Sequence, residues 1–263
     1  MSEANAAYNF SSELKSRLQA AADQLIAARR GTALGELPAN LKPTTLEEAY
    51  FIQDRMAAAQ GKICGWKVGG PIGTTPLFGP MPQAGFTADG AVLANPHQRL
   101  RGVEAEIAFV VGKDLPPRAT PYTREEVTDA MASCHPAIEE LEAAYVTLDG
   151  LERFSMIADL QSNGGFVTGA PFAGWKGFDF AQESIKLTIN GAVRVEAKAS
   201  NPGGTDLTRF LVWLANEGAW RTGGLKKDQW ITTGNWAGKV FADAGSTVKA
   251  EFQHAGSVSV RFN

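Results

Sequence analysis

Between residues 12 and 30 apolar side chains recur at Leu14, Leu18, Ala21, Ala22 and Leu25, the spacing of one helix face. Thr45-Leu46-Glu47-Glu48 has the form of a capping box and predicts a second helix running to about Ala59. Residues 34–42 between them read as a linker. From Gly65 to Pro96 the chain is dense in Gly and Pro, which predicts long ordered loops of the kind that line binding sites. The period then changes. Residues 102–111, rich in Val, Ile and Phe, read as a strand with Val103, Ala105, Ile107 and Phe109 on one face. Thr123-Arg124-Glu125-Glu126 opens a third helix by the same capping logic. Residues 185–189 and 192–195 flank Asn190-Gly191, a type I′ hairpin signal. Leu207, Phe210, Leu211 and Leu214 mark a helix after Asp206, and residues 247–252 and 257–262 alternate as two last strands.

A helical front followed by a strand-dominated body predicts an α+β fold on a mixed, strongly curved β-sheet. Periodicity alone does not distinguish a barrel from a sandwich. No internal repeat or low-complexity tract interrupts the order.

Composition narrows the class. The chain has 263 residues, 44% hydrophobic and 20% charged, enough for a large core in one domain or two small ones. A net charge of −3 gives no case for nucleic acid or an anionic membrane as partner. No run of about 18 apolar residues and no basic-then-apolar leader is present, so neither a membrane span nor a signal peptide is expected, and a cytoplasmic location is. Cys64 and Cys134 are too few for a disulfide framework or a cysteine metal site.

The chemistry concentrates on the far face of the 102–111 strand. Glu104 and Glu106 lie there side by side, and two such carboxylates repel unless a positive charge sits between them. A hard divalent cation, Mg²⁺ or Mn²⁺, answers that need; two solvated acids on a wet strand are the alternative. His135-Pro136-Ala137-Ile138-Glu139-Glu140-Leu141-Glu142 adds further acids, with Glu139, Glu140 and Glu142 all eligible by residue type. Lys67, within Cys64-Gly65-Trp66-Lys67-Val68-Gly69-Gly70, stands in an apolar stretch where burial would lower its pKa and suit it to proton transfer; a permanent cation that fixes a substrate carboxylate and a snorkelling surface lysine are the alternatives. Other chemistries find no frame. His97, His135 and His254 are scattered, Ser155 and Ser162 lack Gly-x-Ser-x-Gly, and no Gly-x-Gly-x-x-Gly follows a strand.

Taken in order with Trp230-Ile231-Thr232-Thr233-Gly234 and 256–262, these segments resemble the 2-keto-4-pentenoate hydratase and 4-oxalocrotonate decarboxylase branch of the fumarylacetoacetate hydrolase superfamily. The resemblance runs from about Thr44 to the C-terminus. It implies a β-roll-like catalytic domain over residues 63–263, a small helical cap over 1–62, and a homo-oligomer. It also implies a metal triad of Glu104, Glu106 and Glu139, the last selected by its Pro-Ala-Ile-Glu register. Asp159-Leu160-Gln161-Ser162-Asn163-Gly164 matches a further family segment at Asp159, Ser162 and Gly164. The resemblance implies Lys67 and Asp159 as catalytic residues, Ser162 and Gly164 as substrate-binding ones, and Thr233, from the Thr233-Gly234 motif, as a further hydroxyl near the substrate. The implied substrate is a small 2-oxo acid or dienoate, and the implied reaction is hydration of a 2-hydroxy-2,4-dienoate through a metal-chelated enolate in aromatic meta-cleavage catabolism. A 4-oxalocrotonate-type decarboxylase and a catalytically weak 2-oxo-acid binding module are the alternatives. One departure matters: where the hydratases carry a Pro-Asp-Phe-Gly-like stretch, residues 74–80 hold Pro76-Leu77-Phe78-Gly79 and no acid.

Overall fold

Two helices lead the chain in the computed structural model, which describes residues 8–94 and 97–263. Helix α1 (Ser12–Arg30) starts where the Ser11 hydroxyl accepts from the Leu14 amide, and it buries Leu18, Ala21, Ala22 and Leu25. Helix α2 (Leu46–Ala58) is capped by Thr45, while the Glu48 carboxylate reaches past the cap to the Thr44 amide at 2.9 Å.

The Gly- and Pro-rich stretch that follows corrects the expectation of loops. It contains β1 (Ile63–Gly69), β2 (Leu77–Pro82), β3 (Phe86–Ala88) and β4 (Ala91–Leu93). Glycine here serves close strand packing: a Cβ on Gly65 would stand 2.6 Å from the Trp230 carbonyl oxygen. Trp66 and Val68 are buried, and Lys67 between them points to the opposite face of β1.

The remaining elements are β5 (Gly102–Val111), α3 (Arg124–Ala130), β6 (Met131–Leu141), α4 (Arg153–Ala158), β7 (Asn163–Thr168), β8 (Ser184–Ile189), β9 (Ala192–Lys198), α5 (Thr208–Asn216), α6 (Ala219–Thr222), β10 (Trp230–Asn235), β11 (Val240–Phe241), β12 (Thr247–Phe252) and β13 (Gly256–Phe262). Thr123 and Glu126 close a reciprocal capping box on α3. Asn190 and Gly191 both take positive φ, 50° and 79°, which is the type I′ turn read from the sequence.

The fold is α+β around a curled, mixed sheet. Among the described residues eight strands form one sheet in the order β2-β1-β10-β5-β6-β7-β3, with β11 also on β5. The β1–β10 and β3–β7 pairs are parallel and the others antiparallel. Register shifts on both sides of β5 and β6 supply the bulges that bend such a sheet. A second sheet, β4-β13-β12-β8-β9, lays β12 and β13 against β6 and β7. Val103, Ala105, Ile107 and Phe109 of β5 are buried in one continuous core that extends from Leu18 of α1 to Leu214 of α5 and Val260 of β13. That burial anchors β5 and leaves its other face for chemistry. No helix among the described residues is long and apolar enough to cross a membrane.

Candidate metal centre and its cavity

Strands β5 and β6 run antiparallel with Glu104 directly opposite Glu139 and Glu106 opposite Ala137. Directly opposed residues have Cβ atoms roughly 5 Å apart, so this register gathers all three acids on one face. One carboxylate oxygen from each lies within 4.8 Å of the others. Their exposures are 7%, 2% and 0% for Glu104, Glu106 and Glu139, which excludes two solvated acids on a wet strand.

The surrounding donors orient this cluster. Asn235 Nδ2 donates to Glu104 at 3.1 Å, the Thr232 hydroxyl to Glu106, and Asn163 Nδ2 to Glu139 at 3.0 Å. Burial, then the charges of Glu139 and Glu104, pushes the Glu106 carboxyl well above the ordinary glutamate value. Burial and Glu139 raise Glu104 in the same direction. The second oxygen of Glu139 is buried without any hydrogen-bond partner. An oxygen-only donor set, mutual repulsion and an orphaned carboxylate oxygen together fit a hard divalent cation. The other two candidate acids are engaged elsewhere. Glu140 accepts from Gln98, and Glu142 from the Arg99 amide at 2.6 Å and the Ala143 amide at 2.8 Å.

Lys67 joins the cluster from β1. Its Nζ donates to Glu139 and to the Gln161 carbonyl at 3.1 Å. Burial alone would lower its pKa, but the negative charges of Glu139 and Glu104 outweigh burial and hold it above the ordinary lysine value. This corrects the expectation of a depressed pKa, because the apolar neighbours Trp66 and Val68 face away while the acids face Lys67. Leu160, Gln161 and Ser162 take positive φ in succession (53°, 50°, 63°), an arrangement that costs about 1–3 kcal/mol per residue. The strained turn turns the Gln161 carbonyl onto Lys67 and brings Ser162 to the cavity wall.

A cavity of about 300 Å³ opens over the acids. Lys67, Glu104, Glu106 and Ser162 form its polar end, and Leu77, Leu141 and Met156 an apolar wall. Leu77 therefore stands where residues 74–80 meet the site. Asn235 and Lys239 lie on the wall formed by the β10–β11 turn.

Three residues singled out from the sequence lie elsewhere. Asp159 is 1% exposed, and its two oxygens accept from Arg29 Nε and the Ala144 amide, each at 2.6 Å. Arg29 also donates to the Asn163 carbonyl at 2.7 Å and the Asp159 carbonyl at 3.0 Å, so the pair clamps α1 to the turn behind the site. Asp159 therefore has no free oxygen for proton transfer and does not line the cavity. Gly164 packs against β6, where a Cβ would stand 2.5 Å from Glu142 Cβ; its bare backbone serves strand approach. Thr233 is fully buried and donates to the Ile107 carbonyl at 2.7 Å, away from the acids. Strand alternation gives its expected place to Thr232, which pairs with Ala108 on the Glu106 face. Asn163, within the 159–164 segment, and Asn235, one residue past Gly234, act as orienting donors that no residue pattern in the sequence singles out. Arg29 had no signal beyond a basic residue at a helix end.

No family model matches the chain. It is 26% identical over 230 residues to the 4-oxalocrotonate decarboxylase of Pseudomonas sp. (strain CF600), a match covering 83% of this chain and 86% of that protein. Among solved structures, the 4-oxalocrotonate decarboxylase from Pseudomonas putida G7 complexed with calcium and acetate aligns with a TM-score of 0.80 at 23% identity, covering 97% of this chain and 100% of that one. The same enzyme complexed with magnesium and adipate aligns with a TM-score of 0.80 at 22% identity and the same coverage. A putative fumarylacetoacetate hydrolase family protein from Yersinia pestis CO92 aligns with a TM-score of 0.57 at 16% identity, covering 75% of this chain and 91% of that one. The chain shares the fold of these structures, and the resemblance read from the motifs is borne out.

Proposed function

We propose that this chain is a divalent-metal-dependent lyase that decarboxylates a 2-oxo-3-enedioate of the 4-oxalocrotonate type. A cation held by Glu104, Glu106 and Glu139 would supply the positive charge that draws electrons toward the carboxylate and 2-oxygen of a chelating 2-oxo acid. Mg²⁺ and Mn²⁺ both suit three carboxylates with open positions left for substrate. The protein's own groups do the rest. Asn235, Thr232 and Asn163 hold the three acids in orientation. Lys67 and Ser162 line the polar end beside the acids, where they would bind the substrate's carboxylate, and Lys67, held protonated, is a cation there with protons to donate.

One observation supports the choice of reaction: Leu77, which lines the cavity, stands in Pro76-Leu77-Phe78-Gly79 where the hydratases' similar stretch carries an aspartate. Loss of CO₂ breaks the bond between C5 and C6, and the electron pair moves through C4 and C3 to the 2-oxygen. No water has to attack, and an apolar wall over the carbon chain keeps water out. Hydration of a 2-hydroxy-2,4-dienoate is the second reading. It uses the same polar end but requires a base near C4, and Asp159 is tied to Arg29 instead of serving there. The activity of the Pseudomonas relative, 4-oxalocrotonate decarboxylase, supports the same order, with decarboxylation first.

The test is parallel turnover with Mg²⁺ or Mn²⁺ on 4-oxalocrotonate, followed as CO₂, and on 2-hydroxypenta-2,4-dienoate, followed by loss of dienol absorbance. Faster CO₂ release, abolished by EDTA, is expected. Faster hydration would reverse the order. Metal-dependent binding without turnover of either would leave the binding-module reading.

A further inference from the structure

Two lysines line the cavity, and only one has a partner. Lys67 is paired with Glu139 at the polar end. Lys239 is exposed, immediately before β11, and takes part in no hydrogen bond or salt bridge among the described residues. Its charge is nonetheless felt by Glu104, where with Lys67 it opposes the rise in pKa that burial and Glu139 cause. The turn that carries it is held to the site. Asn235 donates through Nδ2 to Glu104 at 3.1 Å, and its Oδ1 accepts from the Gly238 amide at 2.9 Å. Gly238 then takes φ +69°, a left-handed step that suits glycine. One amide side chain thus fixes the spacing between an acid of the triad and the residue before Lys239.

The charges of the cavity make this lysine informative. Three carboxylates would be balanced by one divalent cation and Lys67, so the floor would have no positive charge left for a second anionic group on the substrate. The lining that the two lysines share includes Leu77, Leu141 and Met156, which suits a hydrocarbon chain and would strand a charge. We propose that Lys239 recognises the distal carboxylate of the substrate and so selects 2-oxo dicarboxylates over 2-oxo monocarboxylates. This rests on the reading of the cavity as a metal-dependent 2-oxo-acid site and assigns a residue to its substrate selectivity.

The reaction gives the role a distinctive kinetic form. In the ground state the distal carboxylate carries a full negative charge beside Lys239. As the bond to C5 breaks, that charge passes along the chain to the 2-oxygen and neutral CO₂ leaves. The hold of Lys239 therefore weakens toward the transition state, so the lysine contributes to binding and not to the chemical step. Removing it should raise KM and leave kcat unchanged or higher.

The experiment measures calorimetric binding of two unreactive probes, 2-oxoadipate and 2-oxohexanoate, to the Mg²⁺-loaded protein, alongside kcat and KM for 4-oxalocrotonate. Lys239→Met should weaken 2-oxoadipate about fivefold, the size of an exposed ion pair, and leave 2-oxohexanoate unchanged. Lys239→Glu should weaken the dicarboxylate further, and Lys239→Arg should restore it. The site is exposed, so the fold tolerates all three. Equal affinity of wild type and Lys239→Met for 2-oxoadipate would overturn the proposal, as would equal loss of both probes or a fall in kcat at constant KM. If neither probe binds the wild type in a metal-dependent way, the reading of the cavity falls and this one with it.

Discussion

The Lys67 ammonium donates a hydrogen bond to Glu139, the acid that stands directly across from Glu104. The lysine is thus both a partner for one carboxylate and a rival to any cation bound there. Removing it relieves the repulsion between two positive charges, while the substrate carboxylate loses its donor at the polar end. Lys67→Met is therefore expected to lower kcat/KM at least about 100-fold, with Mg²⁺ affinity retained or tightened. Lys67→Arg should recover activity only if charge is all that is needed, since arginine does not give up a proton near neutral pH. Metal titration beside steady-state kinetics checks this, and a loss of metal affinity in Lys67→Met would refute it.

Glu106 is fully enclosed and pressed on by Glu104 and Glu139, which raises its pKa. In EDTA, Glu106→Gln removes one of three repelling charges and should unfold at or above the wild-type temperature. The amide is a poor ligand for a hard cation, so the rise in Tm that Mg²⁺ or Mn²⁺ gives the wild type should be absent. That sign reversal between EDTA and metal is the diagnostic readout. A metal-dependent rise equal to wild type would remove Glu106 from the ligand set.

Much of this site was legible because a strand's period of two is rigid. Glu104 and Glu106 share a face whatever the fold, and the apolar residues between them demand a core on the other side. Glu139 was separable from Glu140 and Glu142 only by motif register, since cross-strand pairing is a tertiary fact. Thr233 is expected at the substrate from motif register alone, whereas strand alternation in β10 sets Thr232, paired with Ala108, on the Glu106 face. The strands β1 and β2 were read as loops because glycines that permit close strand approach look the same in sequence as glycines that permit turns. Asp159 was misplaced for another reason. Its partner, Arg29, lies 130 positions away on α1, and no local pattern announces such a pair.

The pair makes its own prediction. Arg29→Met would leave Asp159 buried with only the Ala144 amide on its side chain. Breaking one side of a buried ion pair typically costs about 3–5 kcal/mol, so urea unfolding should shift strongly. Asp159→Asn should cost less, because its amide oxygen still accepts a hydrogen bond and the Arg29 guanidinium keeps the Asn163, Glu142 and Asp159 carbonyls as acceptors. If Asp159 instead moved a proton in the reaction, Asp159→Asn would keep its stability and lose kcat. Unfolding and kinetics on the same preparation separate the two outcomes.

The wall at Leu77 allows the reaction itself to be tested by gain of function. Leu77 is half-buried, begins β2 and lines the cavity that holds Glu104 and Glu106. A carboxylate at this position would face the carbon chain of a bound dienoate and could activate water for attack at C4. It would also bring a negative charge beside an apolar wall that now favours loss of CO₂. Leu77→Asp is therefore expected to lower decarboxylation at least about tenfold and to raise hydration of 2-hydroxypenta-2,4-dienoate above the wild-type rate. Leu77→Asn controls for shape: it should lose decarboxylation without gaining hydration, because an amide is no base. Metal-dependent stabilisation should be unchanged in both, since neither touches a ligand. If Leu77→Asp gains no hydration while retaining its metal and its fold, the missing acid is not what separates the two reactions in this cavity.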